Sequence, residues 1–128
     1  MKRSGILNPA INHLLASTGH TDYFTICDQG FPVPMEPERI DLAVVSGIPT
    51  VPDLLAAIHG EFIIDRVVIA EEALAVSPEY VESLRELLGD IPLVTVSHLE
   101  LKELSHAGRA TIRTADPTPY GNILVVSG

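Results

Sequence analysis

Apolar and polar positions along the chain are arranged in short blocks that predict alternating helices and strands. Asn8-Pro9 begins the first helix, because Asn is a preferred N-cap and Pro fits the first helical position. Apolar residues then recur with helical spacing at Ile11, Leu14 and Leu15. We expect this helix to stop at Gly19. Residues 23–27 are rich in β-formers and predict a short strand.

The same alternation continues to the end of the chain. Strands are predicted at 40–45, 62–70, 93–96, 110–113 and 123–126, and helices beginning at Thr50, at Ser77-Pro78 and at Ser97. Residues 67–70 are apolar without interruption, which is typical of a strand buried on both faces. Strands alternating with short helices indicate an α/β fold. We expect one compact domain over residues 1–128, with a largely parallel central sheet flanked by short helices.

Composition narrows the classes of partner. The chain has 128 residues, 46% of them hydrophobic, and a net charge of −9. That acidity argues against nucleic acid and against an anionic membrane surface, because both bind mainly through Lys and Arg. Cys27 is the single cysteine, so no intrachain disulfide can form. No apolar run approaches the ~20 residues of a membrane helix, and we expect a soluble cytoplasmic protein.

Chemistry-bearing side chains fall into four clusters, most of them where a strand or loop meets the next element. They are Gly19-His20-Thr21-Asp22, Cys27-Asp28-Gln29-Gly30, Ser97-His98 through Lys102, and Pro119-Tyr120-Gly121-Asn122. Ligands in α/β sheets bind beyond the carboxyl ends of strands, and Asp28 and His98 each follow a predicted strand. The side chains of Tyr120 and Asn122 both donate and accept hydrogen bonds, which suits polyhydroxylated ligands.

Each of these residues also has a purely structural interpretation. His20 could act as a general acid or base near neutral pH, or it could simply lie at a helix C-terminus. Asp28 could bind sugar hydroxyls or orient a histidine, or it could form an Asx-turn with its own backbone. Lys102 could serve the site or be a solvated lysine between acidic neighbours. Tyr120 could be a half-buried turn residue.

Metal and nucleotide chemistry have little support in the sequence. No HExxH motif, paired cysteines, GxGxxG or GxxxxGK motif occurs. His98 and His106 are eight residues apart and could share a helix face, but no third ligand is evident. Glu71-Glu72 is interpreted as the solvated end of a strand. We therefore expect no metal and no cofactor.

The four clusters, in this order and spacing, resemble the D-ribose pyranase family. The matching segments are residues 7–8, 19–22, 27–34, 39–41, 69–72 and 119–123. The resemblance covers essentially the whole chain and is specific as a combination, although each piece alone is weak. The related fucose mutarotases share the Gly-His and Asp landmarks, whereas the Asp-x-Gly-x-Pro-x-Pro segment and Arg39-Ile40-Asp41 look more like the ribose branch.

The resemblance implies a cofactor-free isomerase that interconverts β-D-ribopyranose and β-D-ribofuranose. It also implies a cyclic homo-oligomer, typically a decamer of two pentameric rings, with active sites between subunits. By matching position, His20 would be the proton donor. The sugar would be bound by Asp28, His98, Lys102, Tyr120, Gly121 and Asn122.

Three alternatives stay open at this stage. The protein could be a non-catalytic sugar-binding accessory of a sugar uptake system, in which His20 only donates a hydrogen bond. It could be a mutarotase for another sugar such as fucose. It could also be a metal-dependent hydrolase that uses His98, His106 and a carboxylate.

Overall fold

The structure, a computed structural model, describes residues 1–128 and contains five helices and six strands. The helices are α1 (Pro9–Ser17), α2 (Val51–His59), α3 (Glu71–Val76), α4 (Pro78–Leu88) and α5 (His98–Ser105), and the strands are β1 (Tyr23–Cys27), β2 (Glu38–Asp41), β3 (Ile64–Ala70), β4 (Leu93–Val96), β5 (Ala110–Arg113) and β6 (Ile123–Ser127).

The six strands form one sheet in the order β2-β5-β1-β6-β3-β4. Five strands run in the same direction, and β6 is inserted antiparallel between β1 and β3. The predicted α/β fold with a largely parallel sheet is therefore confirmed. The reversed β6 has a direct consequence for function, because its first residues lie at the same edge as the carboxyl ends of the other five strands.

Both faces of the sheet are covered, by unequal layers. Helices α1, α2 and α4 pack on one face and form the larger hydrophobic core with residues such as Phe24 and Ile26. Helix α5 and Phe31 cover the other face in a smaller core that includes Val68 and Ala70. Alternate residues of β3 enter the two cores, which confirms the prediction that residues 67–70 are buried on both faces.

All four helix starts that the sequence predicts are present, and three of them have side-chain capping bonds, whereas Ser77 makes none. Asn8 Oδ1 accepts a hydrogen bond from the Ile11 amide at 3.1 Å. Thr50 and Asp53 form a reciprocal capping box at the start of α2. Ser97 Oγ accepts from the Glu100 amide at the start of α5. Such caps stabilise a helix end by about 1 kcal/mol each.

One element prediction was wrong, and one helix was missed. The strand expected at 40–45 is β2 at Glu38–Asp41, because its partner β5 ends at Arg113 and the pairing stops at Asp41. The apolar residues Val44 and Val45 therefore lie exposed in a loop. Helix α3, which begins at Glu71, was not expected, since no side chain caps its start. None of the five helices has the length and apolar character needed to cross a bilayer.

Candidate active site

Three elements bring polar side chains to one edge of the sheet. Asp28 follows β1, His98 begins α5 directly after β4, and Asn122 precedes β6. Together they border a cavity of about 320 Å³. Its full lining is Asp28, Gly30, Phe31, Pro32, His98, Pro119, Tyr120 and Asn122. This is the carboxyl edge of the parallel strands, where ligands bind in α/β sheets.

Asp28 both forms an Asx-turn and faces the candidate site, the two alternatives that the sequence left open. Its Oδ1 accepts a hydrogen bond from the Gly30 amide at 2.9 Å, which is an Asx-turn, and the residue also lines the cavity. Burial raises the pKa of the Asp28 carboxyl, with a smaller contribution from nearby Asp116, against hydrogen bonds that lower it. A half-buried carboxylate with a raised pKa is a suitable group for accepting a proton from a hydroxyl.

Asn122 is buried and its amide is oriented by the backbone. Its Oδ1 accepts a hydrogen bond from the Asp28 amide at 2.8 Å. Because that N–H needs an acceptor, the oxygen must face it and the Nδ2 group must point the other way. Nδ2 lies near the Asp28 carboxylate, and this interaction lowers the pKa of that group. Nδ2 makes no other side-chain hydrogen bond in the chain, and Asn122 lines the cavity. At least one of its two N–H donors is therefore available to a ligand.

His98 is held at the cavity wall by its backbone and by two aromatic rings. Its amide donates to Glu72 Oε2 at 2.9 Å. The ring lies edge-on to Tyr120 at 5.0 Å and to Phe31 at 6.5 Å between centroids. Its Nδ1 is buried without a hydrogen-bond partner. Glu72, interpreted from sequence as a solvated strand end, in fact anchors the start of α5.

Tyr120 and Gly121 belong to a short loop with an unusual backbone. Tyr120 has a φ of 56°, in the left-handed region that non-glycine residues rarely adopt. The loop places the Tyr120 ring against His98 and leads directly into Asn122. Gly121 is itself buried in this loop, where it donates its amide to the Thr118 carbonyl oxygen at 3.1 Å.

Lys102 does not lie in the cavity that contains Asp28. It lines an adjoining open cleft of about 510 Å³, together with Pro32, Val33, Pro34, Met35, Glu36, Glu103 and His106. Pro32 borders both the cavity and the cleft. Lys102 is thus next to the site and makes no ion pair or side-chain hydrogen bond in the chain.

His20 lies at the opposite edge of the sheet. It is exposed in the turn before β1, where the next residue, Thr21, donates its amide to the carbonyl oxygen of Ser127 at the far end of β6. The five-residue strand β1 separates this turn from Asp28, which corresponds to about 17 Å at 3.3 Å per residue. A single chain therefore does not bring His20 together with Asp28, His98 and Asn122.

Several residues that shape the site were missed from the sequence. Asp116 is buried, and its carboxylate accepts hydrogen bonds from the amides of Val51 and Thr118 at 2.9 Å each. Ser77 and Tyr80 donate hydrogen bonds to the 119–122 loop. No local pattern could have revealed these roles, because partners such as Tyr80 and Gly121 are 41 residues apart. The structure contains no group of three or more His, Cys, Asp or Glu residues placed to hold a metal ion.

The raised pKa of Asp28 predicts a specific pH dependence of stability. The folded protein binds the Asp28 proton more tightly than the unfolded chain does. The stabilisation is therefore complete below the unfolded-state pKa of about 3.9 and is lost as the pH rises through the folded-state value. Relative to wild type, Asp28→Asn should gain free energy of unfolding as the pH increases from about 4 to 7.

Chemical denaturation at a series of pH values measures this difference. Asp90→Asn is the matched control, because Asp90 is exposed and its carboxylate accepts no hydrogen bond in the chain. The change with pH should be larger for Asp28→Asn than for this control. A stability difference for Asp28→Asn that stays constant or shrinks with rising pH would show that burial does not perturb this carboxyl.

Known proteins share both the sequence and the fold of this chain. The family model described as "RbsD / FucU transport protein family" matches residues 1–128. A D-ribose pyranase of Geobacillus thermodenitrificans is 44% identical over all of this chain and 97% of its own length. A D-ribose pyranase of Clostridium botulinum is 40% identical over all of this chain and 98% of its own length.

Two solved structures extend the comparison. Bacillus subtilis RbsD complexed with D-ribose superposes with a TM-score of 0.95 at 37% identity, covering 100% of this chain and 98% of that chain. The fucose mutarotase of Streptococcus pneumoniae in complex with L-fucose has a TM-score of 0.80 at 19% identity, covering 95% and 93% of the two chains, and shares the fold. With a family match over its whole length and relatives above 40% identity, the chain belongs to the RbsD / FucU family.

Proposed function

We propose that this protein is a D-ribose pyranase, an isomerase that interconverts β-D-ribopyranose and β-D-ribofuranose. The observation that carries the proposal is the convergence of Asp28, His98, Tyr120 and Asn122 on one cavity, where the Asn122 amide has a donor available to a ligand. The two relatives that are 44% and 40% identical over the whole chain bear this activity in their names, and a relative with the same fold is complexed with D-ribose.

The reaction requires two proton movements in each of its two steps, ring opening and ring closure. Opening the pyranose removes the proton of the anomeric hydroxyl, breaks the bond between C1 and the ring oxygen, and delivers a proton to that oxygen. The 4-hydroxyl then attacks C1, loses its proton, and the former aldehyde oxygen is protonated. Atoms and oxidation states balance without a redox partner, so the proposed enzyme is independent of cofactors. Positioned acid and base groups accelerate such steps by about 10²–10⁴-fold.

The residues at the cavity divide this work. Asp28, whose pKa is raised by burial, is suited to orient a hydroxyl and share its proton. The Asn122 amide group donates hydrogen bonds to sugar oxygens. The rings of Tyr120 and His98 form one wall, and the Tyr120-Gly121-Asn122 segment holds the open chain in a curled shape for reclosure. His20 serves as the proton donor, and Lys102 approaches the sugar from the adjoining cleft.

Because His20 lies at the opposite edge of its own sheet, we assign the proton donor at each cavity to a neighbouring copy of the chain. The exposed position of His20 allows it to reach outward. The open cleft beside the cavity leaves room for the approaching turn. A closed ring of identical subunits provides one such contact for every site. We propose a homodecamer of two pentameric rings in the cytoplasm, each chain a single domain over residues 1–128.

Exchange NMR on free sugars tests the proposed function. Saturation transfer between the pyranose and furanose signals of ribose measures the exchange rate directly. The purified protein should accelerate it in proportion to its concentration, and should accelerate ribose exchange more than fucose exchange. Binding of ribose without acceleration would indicate the sugar-binding accessory function instead. Preferential acceleration of fucose anomer exchange would place the protein with the mutarotases.

Mixed oligomers test whether each site is shared between two chains. At ribose concentrations well below KM, His20→Ala and Asn122→Ala oligomers should each retain at most about a tenth of the wild-type activity. If they are dissociated, mixed in equal amounts and reassembled, about a quarter of the sites should receive an intact His20 and an intact Asn122 from different chains. Exchange NMR before and after mixing measures the recovery. Absence of recovery, with reassembly verified by light scattering, would mean that His20 acts within its own chain or not at all.

A further inference from the structure

The loop that carries Tyr120, Gly121 and Asn122 is fastened from outside the cavity by two hydroxyl groups. Tyr80 Oη donates a hydrogen bond to the Gly121 carbonyl oxygen at 2.5 Å. Ser77 Oγ donates to the Pro119 carbonyl oxygen at 2.8 Å. Ser77 precedes α4 and Tyr80 lies in its first turn, so a single helix start holds the loop at two points on either side of Tyr120.

This loop needs an external fastening, because its backbone is strained. A non-glycine residue in the left-handed region costs about 1 kcal/mol and persists only where its surroundings enforce it. Tyr120 has that conformation, with a φ of 56°. Without this conformation, the Tyr120 ring would leave its edge-on contact with His98. Asn122 would also be displaced from the Asp28 amide.

Packing around Gly121 shows that Tyr80 is in close contact with the loop. A Cβ at position 121 would lie 3.4 Å from the Tyr80 hydroxyl oxygen and 3.0 Å from the Thr118 carbonyl oxygen. The Tyr80 ring also packs against the larger hydrophobic core. Burial, together with the nearby Asp116 and Asp28 carboxylates, raises the pKa of Tyr80, so its hydroxyl keeps its proton and remains a donor.

We propose that Tyr80 is a positioning residue that keeps the 119–122 loop in the conformation that binds the sugar, with Ser77 in a supporting role. This inference rests on the proposed function of the cavity, to which it adds a residue that makes no contact with the cavity itself. Tyr80 acts on the fraction of molecules whose loop is competent to bind. The apparent affinity for ribose falls in proportion to that fraction. The rate at which the bound sugar exchanges its ring form, kcat, is unchanged.

Tyr80→Phe tests the proposal through the separation of KM from kcat. The variant removes only the hydroxyl and leaves the Gly121 carbonyl oxygen without its donor. KM for ribose should rise about five- to tenfold while kcat stays within about twofold of wild type. Ser77→Ala should raise KM in the same direction by a smaller factor. Ser83→Ala is the matched control, because its hydroxyl donates to the Tyr80 carbonyl oxygen and not to the loop.

A second measurement needs no substrate. The Gly121 amide donates to the Thr118 carbonyl oxygen at 3.1 Å inside the loop, and its hydrogen exchange should accelerate in Tyr80→Phe. Tyr23→Phe serves as the comparison, since it also removes a phenol bonded to a backbone carbonyl, that of Leu104, and it should leave Gly121 exchange unchanged.

The possible outcomes are distinct. Unchanged KM and unchanged Gly121 exchange in Tyr80→Phe would reduce Tyr80 to an ordinary core residue and overturn the proposal. A wild-type protein that neither binds ribose nor accelerates its exchange would refute the proposed function, and Gly121 exchange would then decide the role of Tyr80 on its own.

Discussion

His20→Ala should lower the rate of ribose ring exchange by at least about 100-fold, which corresponds to about 2.7 kcal/mol of transition-state stabilisation. The expected loss is large because the two other imidazoles nearby are held in place. His98 is fixed in the wall by its backbone bond to Glu72 and by its neighbouring rings. His106, in the adjoining cleft, is hydrogen-bonded to Glu36. Saturation-transfer NMR measures the effect on kcat. KM should change little, because the residues proposed to bind the sugar lie at the edge of the sheet opposite to His20.

His59→Ala is the matched control for this variant. His59 is an exposed histidine at the end of α2, outside both the cavity and the cleft. Its replacement should leave exchange activity and assembly unchanged. Both variants should elute at the wild-type oligomer size. Retention of full activity by correctly assembled His20→Ala would remove His20 from the mechanism and leave Asp28 as the candidate acid and base.

Asn122→Ala should lower kcat/KM about 10- to 100-fold, mostly through KM, because two effects combine. The sugar loses the amide donors of Asn122. The Asp28 amide also loses its acceptor, which lies 2.8 Å away in the intact protein. A partly buried N–H without a partner costs about 1–3 kcal/mol. Here it destabilises the turn that orients Asp28. Ribose titration by exchange NMR measures both parameters.

Two further variants separate binding from general destabilisation. Asn122→Asp removes the donors and adds a like charge beside Asp28, so it should lose activity even though the Asp28 amide keeps an oxygen acceptor. Asn12→Ala removes another amide side chain, one that donates to the Ile6 carbonyl oxygen at 2.7 Å and does not line the cavity. If Asn12→Ala lost as much kcat/KM as Asn122→Ala, the loss in Asn122→Ala would be explained by general destabilisation of the fold and not by weaker sugar binding.

Much of the local structure could be predicted because its causes are local. Side chains that cap α1, α2 and α5 lie within three residues of the amides they bind. Strand β4 was predicted with its bounds, and β3 with both faces buried. The strand expected at 40–45 failed for a non-local reason, since the end of β2 is determined by where β5 stops.

The candidate site was predictable as a set of residues but not as a geometry. Asp28, His98, Tyr120 and Asn122 follow from cluster position and from the family resemblance, and the structure gathers all four around one cavity. Lys102 was predicted with them, yet it lines the adjoining cleft. Tyr80, Ser77, Glu72 and Asp116 were not predicted, because each acts through a partner distant in the sequence.

By itself the sequence determined where helices and strands begin, which of their faces are apolar, and which side chains could handle a sugar, because periodicity and capping are properties of neighbouring residues. Only the tertiary structure decided that β6 enters the sheet antiparallel beside β1, which joins Asn122 to Asp28 across 94 residues. It also placed His20 at the opposite edge, a full strand length away. Strand order and direction depend on which buried faces pack best together, and periodicity along one chain does not contain that information.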